Sequence, residues 1–142
     1  MIVRCLYASR IRMPVPAGMF DAILEQSRRN NAKRGITGLL CHTSDSFVQV
    51  VEGGRGAVST LLKAIFSDER HHDVTMMLFG EIEERRFGNW TMGRVNMETV
   101  NPSLLLKYSE TSRFDPFKCR GPAVMALLED LTSTGSIASR SV

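Results

Sequence analysis

Apolar residues recur without a breaker from Ile2 to Ser9, the pattern of a buried strand. Pro14 and Pro16 interrupt it. From Ala17 to about Lys33 the positions Phe20, Ile23, Leu24 and Ser27 fall at helical spacing, and Arg34-Gly35 marks the stop. Ile36 to His42 and Ser46 to Glu52 read as two short strands, joined by the polar link Thr43-Ser44-Asp45 as a hairpin. Gly53-Gly54 closes the second of them. Val58, Leu61, Leu62, Ile65 and Phe66 then trace a second amphipathic helix, which Asp68 to His72 ends. Val74 to Glu83 predicts a fourth strand, and Trp90 to Asn96 a shorter fifth.

The order is βαββαβ with one extra β, which predicts an α+β domain with a ferredoxin-like sheet over residues 1–96. The first and third strands are expected as central, parallel neighbours. Tyr7 and Gln49 would then lie close together. Residues 97–142 read as a helical extension. Leu104, Leu105 and Tyr108 suggest a short helix. Gly121-Pro122 opens another, with Val124, Leu127, Leu128 and Leu131 on one face. Strands such as Phe47 to Val51 are apolar on both parities, so the second face of the sheet is the natural cover for these helices, a partner protein being the alternative. The polar end, Ser133 to Val142, is expected to fray.

Composition narrows the class. The 142 residues suffice for one domain, and with 43% hydrophobic and 23% charged residues the chain is neither disordered nor disulfide-dense. No apolar run is long enough to span a bilayer, and the N-terminus lacks a secretory pattern. The formal charge of +3 is too small to argue for nucleic acid. Its local excess, Arg28-Arg29 and Lys33-Arg34, reads as a solvated helix face. Cys5, Cys41 and Cys119 are an odd number at irregular spacing, which reads as reduced thiols in a cytoplasmic protein.

Against this ordinary background, several polar residues stand in apolar places. Gln49 interrupts Phe47-Val48-Gln49-Val50-Val51, and a buried amide costs several kcal/mol on alkane-like scales unless it is paired. Tyr7 lies mid-strand beside it, and a buried hydroxyl needs a partner that a glutamine supplies. Both could be satisfied core residues. Asn30 and Asn31 are poor helix-interior residues near a helix end, where they either cap or present amides to a planar heterocycle. Trp90 and Met92 are two apart, so on a strand they share a face, as core or beside an aromatic ligand. Asp68-Glu69-Arg70-His71-His72 does not make a convincing zinc set and reads as a solvated helix end. Gly53-Gly54-Arg55-Gly56 lacks the Lys-Ser/Thr of a phosphate loop and reads as a turn.

Six blocks in order resemble the BLUF family of blue-light sensors that use flavin. They are Leu6-Tyr7-Ala8-Ser9-Arg10, Ser27-Arg28-Arg29-Asn30-Asn31, Gly35 to Leu40, Phe47 to Gly53, Asp68-Glu69-Arg70-His71, and Arg86 to Met92. The resemblance runs from about residue 2 to residue 95. It implies a ferredoxin-like domain holding FAD, or FMN, non-covalently between its two helices. Tyr7 matches the family's electron and proton donor, and Gln49 its switching glutamine. Asn31 matches the asparagine at the flavin C4 carbonyl side, and Asn30 a neighbour near C2. Ile23 and Ile65 match residues packed on the ring. Ser27, Trp90 and Met92 match positions around these, and Arg70 and His71 a motif near the ribityl-phosphate end.

The resemblance further implies a light-driven cycle without net turnover, hence no enzyme. The output passes to a separate signalling protein, a second-messenger enzyme or a transcription regulator by family analogy, or to another copy of the chain. A flavin redox sensor and a light-insensitive interaction module are the alternatives. An RNA-binding module is disfavoured by 7% aromatic content and no cluster of exposed strand aromatics. An acylphosphatase-like hydrolase would need a glycine-rich nest where the chain reads Arg12-Met13-Pro14-Val15-Pro16.

Overall fold

The computed structural model describes residues 1–138. Five strands and four α-helices follow one another as β1 (Ile2–Ile11), α1 (Met19–Arg34), β2 (Thr37–His42), β3 (Ser46–Gly54), α2 (Arg55–Ser67), β4 (His71–Ile82), β5 (Gly93–Asn96), α3 (Pro102–Tyr108) and α4 (Gly121–Leu131). The strands form one sheet in the order β4-β1-β3-β2-β5. This is the ferredoxin-like α+β arrangement, with a fifth strand added parallel to β2.

Both expected central strands are central, but their direction is not the one expected. β1 and β3 pair antiparallel, with Tyr7 directly opposite Gln49. The reason lies in the connections. The α1 crossover sets β2 parallel to β1 and leaves a gap between them. The tight hairpin at residues 43–45 then turns β3 back into that gap, against both neighbours. Asp45 N and Ser46 N both donate to Thr43 Oγ1 and hold the hairpin turn. At the end of α1, Gly35 takes φ 67° and caps the helix in the left-handed region.

The two-residue period divides the sheet cleanly. Cys5, Tyr7, Phe47 and Val51 join a core with α1 and α2 on one face. Leu6, Ala8, Val48 and Val50 join a second core with Leu105, Val124, Leu127, Leu128 and Leu131 of α3 and α4 on the other. The helical extension therefore covers the second face of the sheet. No helix among the described residues is long and apolar enough to cross a membrane.

Three further expectations change. Strand β4 starts at His71 rather than Val74, so the segment read as a solvated helix end enters the sheet, and His71 is buried. Strand β5 starts only at Gly93. Trp90, an isolated bridge residue, and Met92, in a bend, precede it, where the two-residue rule does not apply. They fall in opposite cores, Met92 with α1 and α2 and Trp90 against the α3–α4 cluster. Finally, residues 133–138 do not fray. Ala138 pairs by both its backbone groups with Arg94 of β5, and Ile137 packs against the outer core. The expectation for residues 139–142 lies outside the described residues.

Glu52 is fully buried near the end of β3. Its carboxylate accepts from the backbone N–H of Arg86 and Phe87 and pairs with Arg4 at 2.7 Å. A buried carboxylate is tolerable only when paired in this way. It ties the start of the 85–92 loop to the same strand that bears Gln49.

Candidate functional site

On α1, residues 24, 27, 28 and 31 share the inward stripe by their 3,4 spacing. Such a stripe is ordinarily apolar. Here only Leu24 is, and Ser27, Arg28 and Asn31 follow it. The helix is therefore not sealed onto the sheet, and a cavity of about 150 Å³ opens between α1 and α2. Its lining includes Tyr7, Ile23, Ser27, Asn30, Asn31, Gln49, Ile65, Arg70 and His71. Nine of the residues singled out from sequence are thus brought together by five different elements and the α2–β4 turn. Trp90 and Met92 do not line the cavity.

At its floor, register produces the central contact. Tyr7 and Gln49 are cross-strand partners, and the Tyr7 hydroxyl donates to Gln49 Oε1. The Gln49 amide donates from Nε2 to Met92 Sδ at 3.3 Å. Both residues are buried, at 3% and 6% exposure. Burial pushes the Tyr7 phenol up from its usual pKa, and nearby Cys5 and Asp68 add to the shift. Tyr7 is therefore a neutral hydrogen-bond donor at any physiological pH.

Asn31 is the exception to the rule that buried polar atoms are paired. It is 2% exposed, and its Nδ2 has no partner. Leaving a buried donor unsatisfied costs about 1–3 kcal/mol. Among the described residues it is the one fully buried side-chain nitrogen or oxygen in this state, and it lines the cavity. The donor calls for an acceptor that arrives with a ligand.

His71 and Arg70 border the cavity in different ways. His71 stands edge-on to Tyr7, with ring centroids 6.4 Å apart. Its Nε2 lies 2.7 Å from the Ile65 carbonyl, which can only accept, and Nδ1 lies 2.8 Å from Ser9 Oγ. The ring thus ties β1 to the end of α2. Arg70 lies toward solvent and pairs with Asp68 at 2.6 Å, and its guanidinium holds the Asp68 carboxyl below the usual range. Its Nη2 also donates to Gln26 Oε1 at 3.3 Å.

Sequence reading missed several lining residues: Gln26, Arg34, Leu40, Phe47, Leu61 and Asp68. Phe47 and Leu40 were legible in principle, since each shares the cavity face with Gln49 by the two-residue period or cross-strand register. The sequence places Arg28 on a solvated face. Its guanidinium instead reaches the Met92 carbonyl from Nε at 3.2 Å.

Fold and cavity together define a ferredoxin-like domain with a cavity between its sheet and two helices. The family model for sensors of blue light using FAD matches residues 2–93, and the chain belongs to this family, the BLUF sensors. Over 95 residues it is 37% identical to a photoactivated adenylate cyclase subunit beta of Euglena gracilis, which covers 66% of this chain and 11% of that protein. It is 30% identical over 88 residues to the blue light- and temperature-regulated antirepressor BluF of Escherichia coli K12, covering 62% of this chain and 22% of that one. The chain therefore spans only a small part of these curated relatives. Among solved structures, the photo-activated state of BlsA superposes with a TM-score of 0.85 at 28% identity, covering 96% of this chain and 98% of that one. The dark state of the BLUF protein BlrB gives 0.78 at 31%, covering 92% and 94%.

Proposed function

We propose that this chain is a blue-light photoreceptor that binds FAD, or FMN in its place, in the cavity between α1 and α2. The single observation that carries the reading is the unpartnered Asn31 Nδ2 beside the Tyr7–Gln49 pair. A flavin ring offers what these groups lack: carbonyl and ring-nitrogen acceptors along one edge. Asn31 donates to a carbonyl there, with Asn30 beside it. Ile23 and Ile65 pack on the ring, and Ser27 borders it. Arg70 and His71 lie toward the chain end of the ligand.

When bound, the flavin supplies absorption of blue light and an excited ring that takes an electron and a proton. Tyr7 is the donor of both. Its proton already points at Gln49 Oε1, so its departure and return pass through the amide. Gln49 then settles with its donor and acceptor ends exchanged, by rotation or tautomerisation. A thioether sulfur accepts but does not donate, so rotation of the amide takes from Met92 the donor it has in Nε2. Trp90, two residues away and on the outer face, carries the resulting shift toward α3 and α4. The cycle has no net turnover.

The output is relay to a separate signalling protein, a second-messenger enzyme or transcription regulator, or to a second copy of the chain. The relatives named for adenylate cyclase and antirepressor activity support this class of output. The workplace is the cytoplasm, where Cys5 and Cys41, buried with thiols pushed up to about 12, stay protonated and inert.

Gln49→Leu and Tyr7→Phe test the assignment. Each variant is expected to retain flavin and to lose the normal light-induced shift of its absorption to longer wavelength. A wild-type shift in Gln49→Leu would remove the glutamine from the switch. A normal photocycle in Tyr7→Phe would mean that another residue is the donor.

A further inference from the structure

Arg28 touches two things that the proposed switch does not otherwise connect. It sits on the inward stripe of α1 beside the cavity-lining Ser27 and between the buried Leu24 and Asn31. Its Nε donates to the Met92 carbonyl at 3.2 Å, and its Nη2 reaches the Ala138 carbonyl at 3.5 Å. Met92 is the residue whose sulfur accepts from Gln49. Ala138 is the residue that closes the outer edge of β5, exchanging both backbone hydrogen bonds with Arg94 at 2.8 and 3.2 Å. A single cation thus spans the Gln49 partner and the C-terminal segment.

The ground beneath that segment is shaped for it. A Cβ on Gly93 would stand 2.7 Å from Ile137 Cγ2, 2.6 Å from Leu39 Cδ2 and 3.2 Å from Trp90 Cγ. Ile137 therefore lies over Gly93, the residue after Met92, where only glycine leaves room. Any displacement of the 90–93 segment disturbs the Arg28 contact, the Gly93 platform and the Arg94 pairing together.

Given the photoswitch proposed above, on which this rests, we propose that Arg28 is a positioning residue that latches the C-terminal segment Ile137–Ala138 onto the edge of β5 in the dark and releases it in the light. In the dark, Gln49 Nε2 holds Met92 in place, and the Met92 carbonyl meets Arg28. When the amide exchanges its ends, Met92 loses that donor and its carbonyl moves off Arg28. The guanidinium keeps its charge throughout, so the latch is governed by position rather than by protonation. Release leaves the N–H and C=O of Arg94 unpaired at a sheet edge, a template for an incoming extended segment.

The test is amide hydrogen exchange at Arg94 and Ala138 in the full flavin-loaded chain, in darkness and under continuous blue light, with the absorption shift recorded on the same samples. Arg28→Ala and Arg28→Lys are compared with the wild type. In the wild type, light should speed exchange at these two amides roughly tenfold or more, the worth of a hydrogen bond to a charged group. Arg28→Ala should show fast exchange at both amides already in the dark and no further change in light, while its absorption still shifts. Arg28→Lys, which keeps the charge and one donor, should restore part of the dark protection. A fold defect would raise exchange throughout the sheet rather than at these two positions.

Dark exchange in Arg28→Ala equal to the wild type would overturn the latch. A normal absorption shift with both amides equally protected in light and dark would overturn its release. Absence of any absorption shift would instead overturn the photoswitch, and the dark comparison of the variants would still decide the latch.

Discussion

The two faces of the sheet share the same five strands and are built on opposite rules. The outer face meets α3 and α4 through Leu105, Val124, Leu127, Leu128 and Leu131, all buried against Leu6, Val48 and Val50. The polar groups beside it are paired: the Tyr108 hydroxyl donates to Asp130, and Glu52, on the parity of Val48 and Val50, is bonded to Arg4 and to the backbone N–H of Arg86 and Phe87. The inner face meets α1 and α2 across a cavity, with Tyr7, Ser9, Asn31, Gln49 and His71 all buried and one donor unpaired. One face maximises apolar burial and holds the domain together. The other gives up packing density to keep hydrogen-bonding groups dry, fixed and available. The strands can serve both because neighbouring residues point to opposite sides.

The outer face should break most visibly. Leu127 is fully buried there. Leu127→Ala removes its methyl groups and leaves a cavity, which costs about 2–5 kcal/mol. Urea unfolding should show the loss, whereas the folded fraction should keep its visible absorption and light response. Loss of flavin at unchanged stability would mean that the two faces are not separable.

Asn31→Ala on the inner face should act with opposite sign in the empty and the loaded protein. Without ligand, it removes an unsatisfied buried donor, so stability should hold or rise by up to about 1 kcal/mol. With flavin, it removes a hydrogen bond, and affinity should fall about tenfold, or roughly 1.4 kcal/mol. Unfolding with and without added flavin measures both signs. Equal destabilisation in the two states would assign Asn31 to the fold and not to the ligand.

The smallest effect concerns the seam between the faces. His42 is buried at the end of β2, stacked on Phe20 at 4.3 Å, and accepts from Arg94 Nε at 3.1 Å. Burial lowers its pKa below the ordinary 6.5, and the Arg94 charge lowers it further. The unfolded chain therefore takes a proton first. The stability held by neutral His42 is complete above pH 6.5 and declines as pH falls from there toward the folded value. His42→Gln should remove this part of the slope between pH 7 and 5. An unchanged slope would place the titration elsewhere.

Much of both faces was legible in the chain. Apolar residues on both parities of Phe47 to Val51 meant two covered faces, and α3 and α4 do cover the second. Gln49 and Tyr7 stood out because each is polar in an apolar run, and register makes them partners. What stayed hidden depends on distant contacts. His71 reads as polar surface until Ser9 and the Ile65 carbonyl satisfy its ring. The parallel direction expected for the strands of Tyr7 and Gln49 was wrong, because the α1 crossover and the 43–45 hairpin together set them antiparallel. Trp90 and Met92 separate onto opposite faces because a bend, not a strand, connects them. Arg28 and Ala138 look like surface and tail, since nothing local in either marks the other as its partner.

The central claim is that the inner cavity holds a flavin whose light response runs through Tyr7 and Gln49. The most direct measurement is the absorption spectrum of the purified chain in darkness, under blue light, and after return to darkness. The account predicts a flavin spectrum that moves as a whole to longer wavelength and reverts in the dark. A bound flavin whose spectrum does not move, or a chain that takes up neither FAD nor FMN on reconstitution, would contradict it.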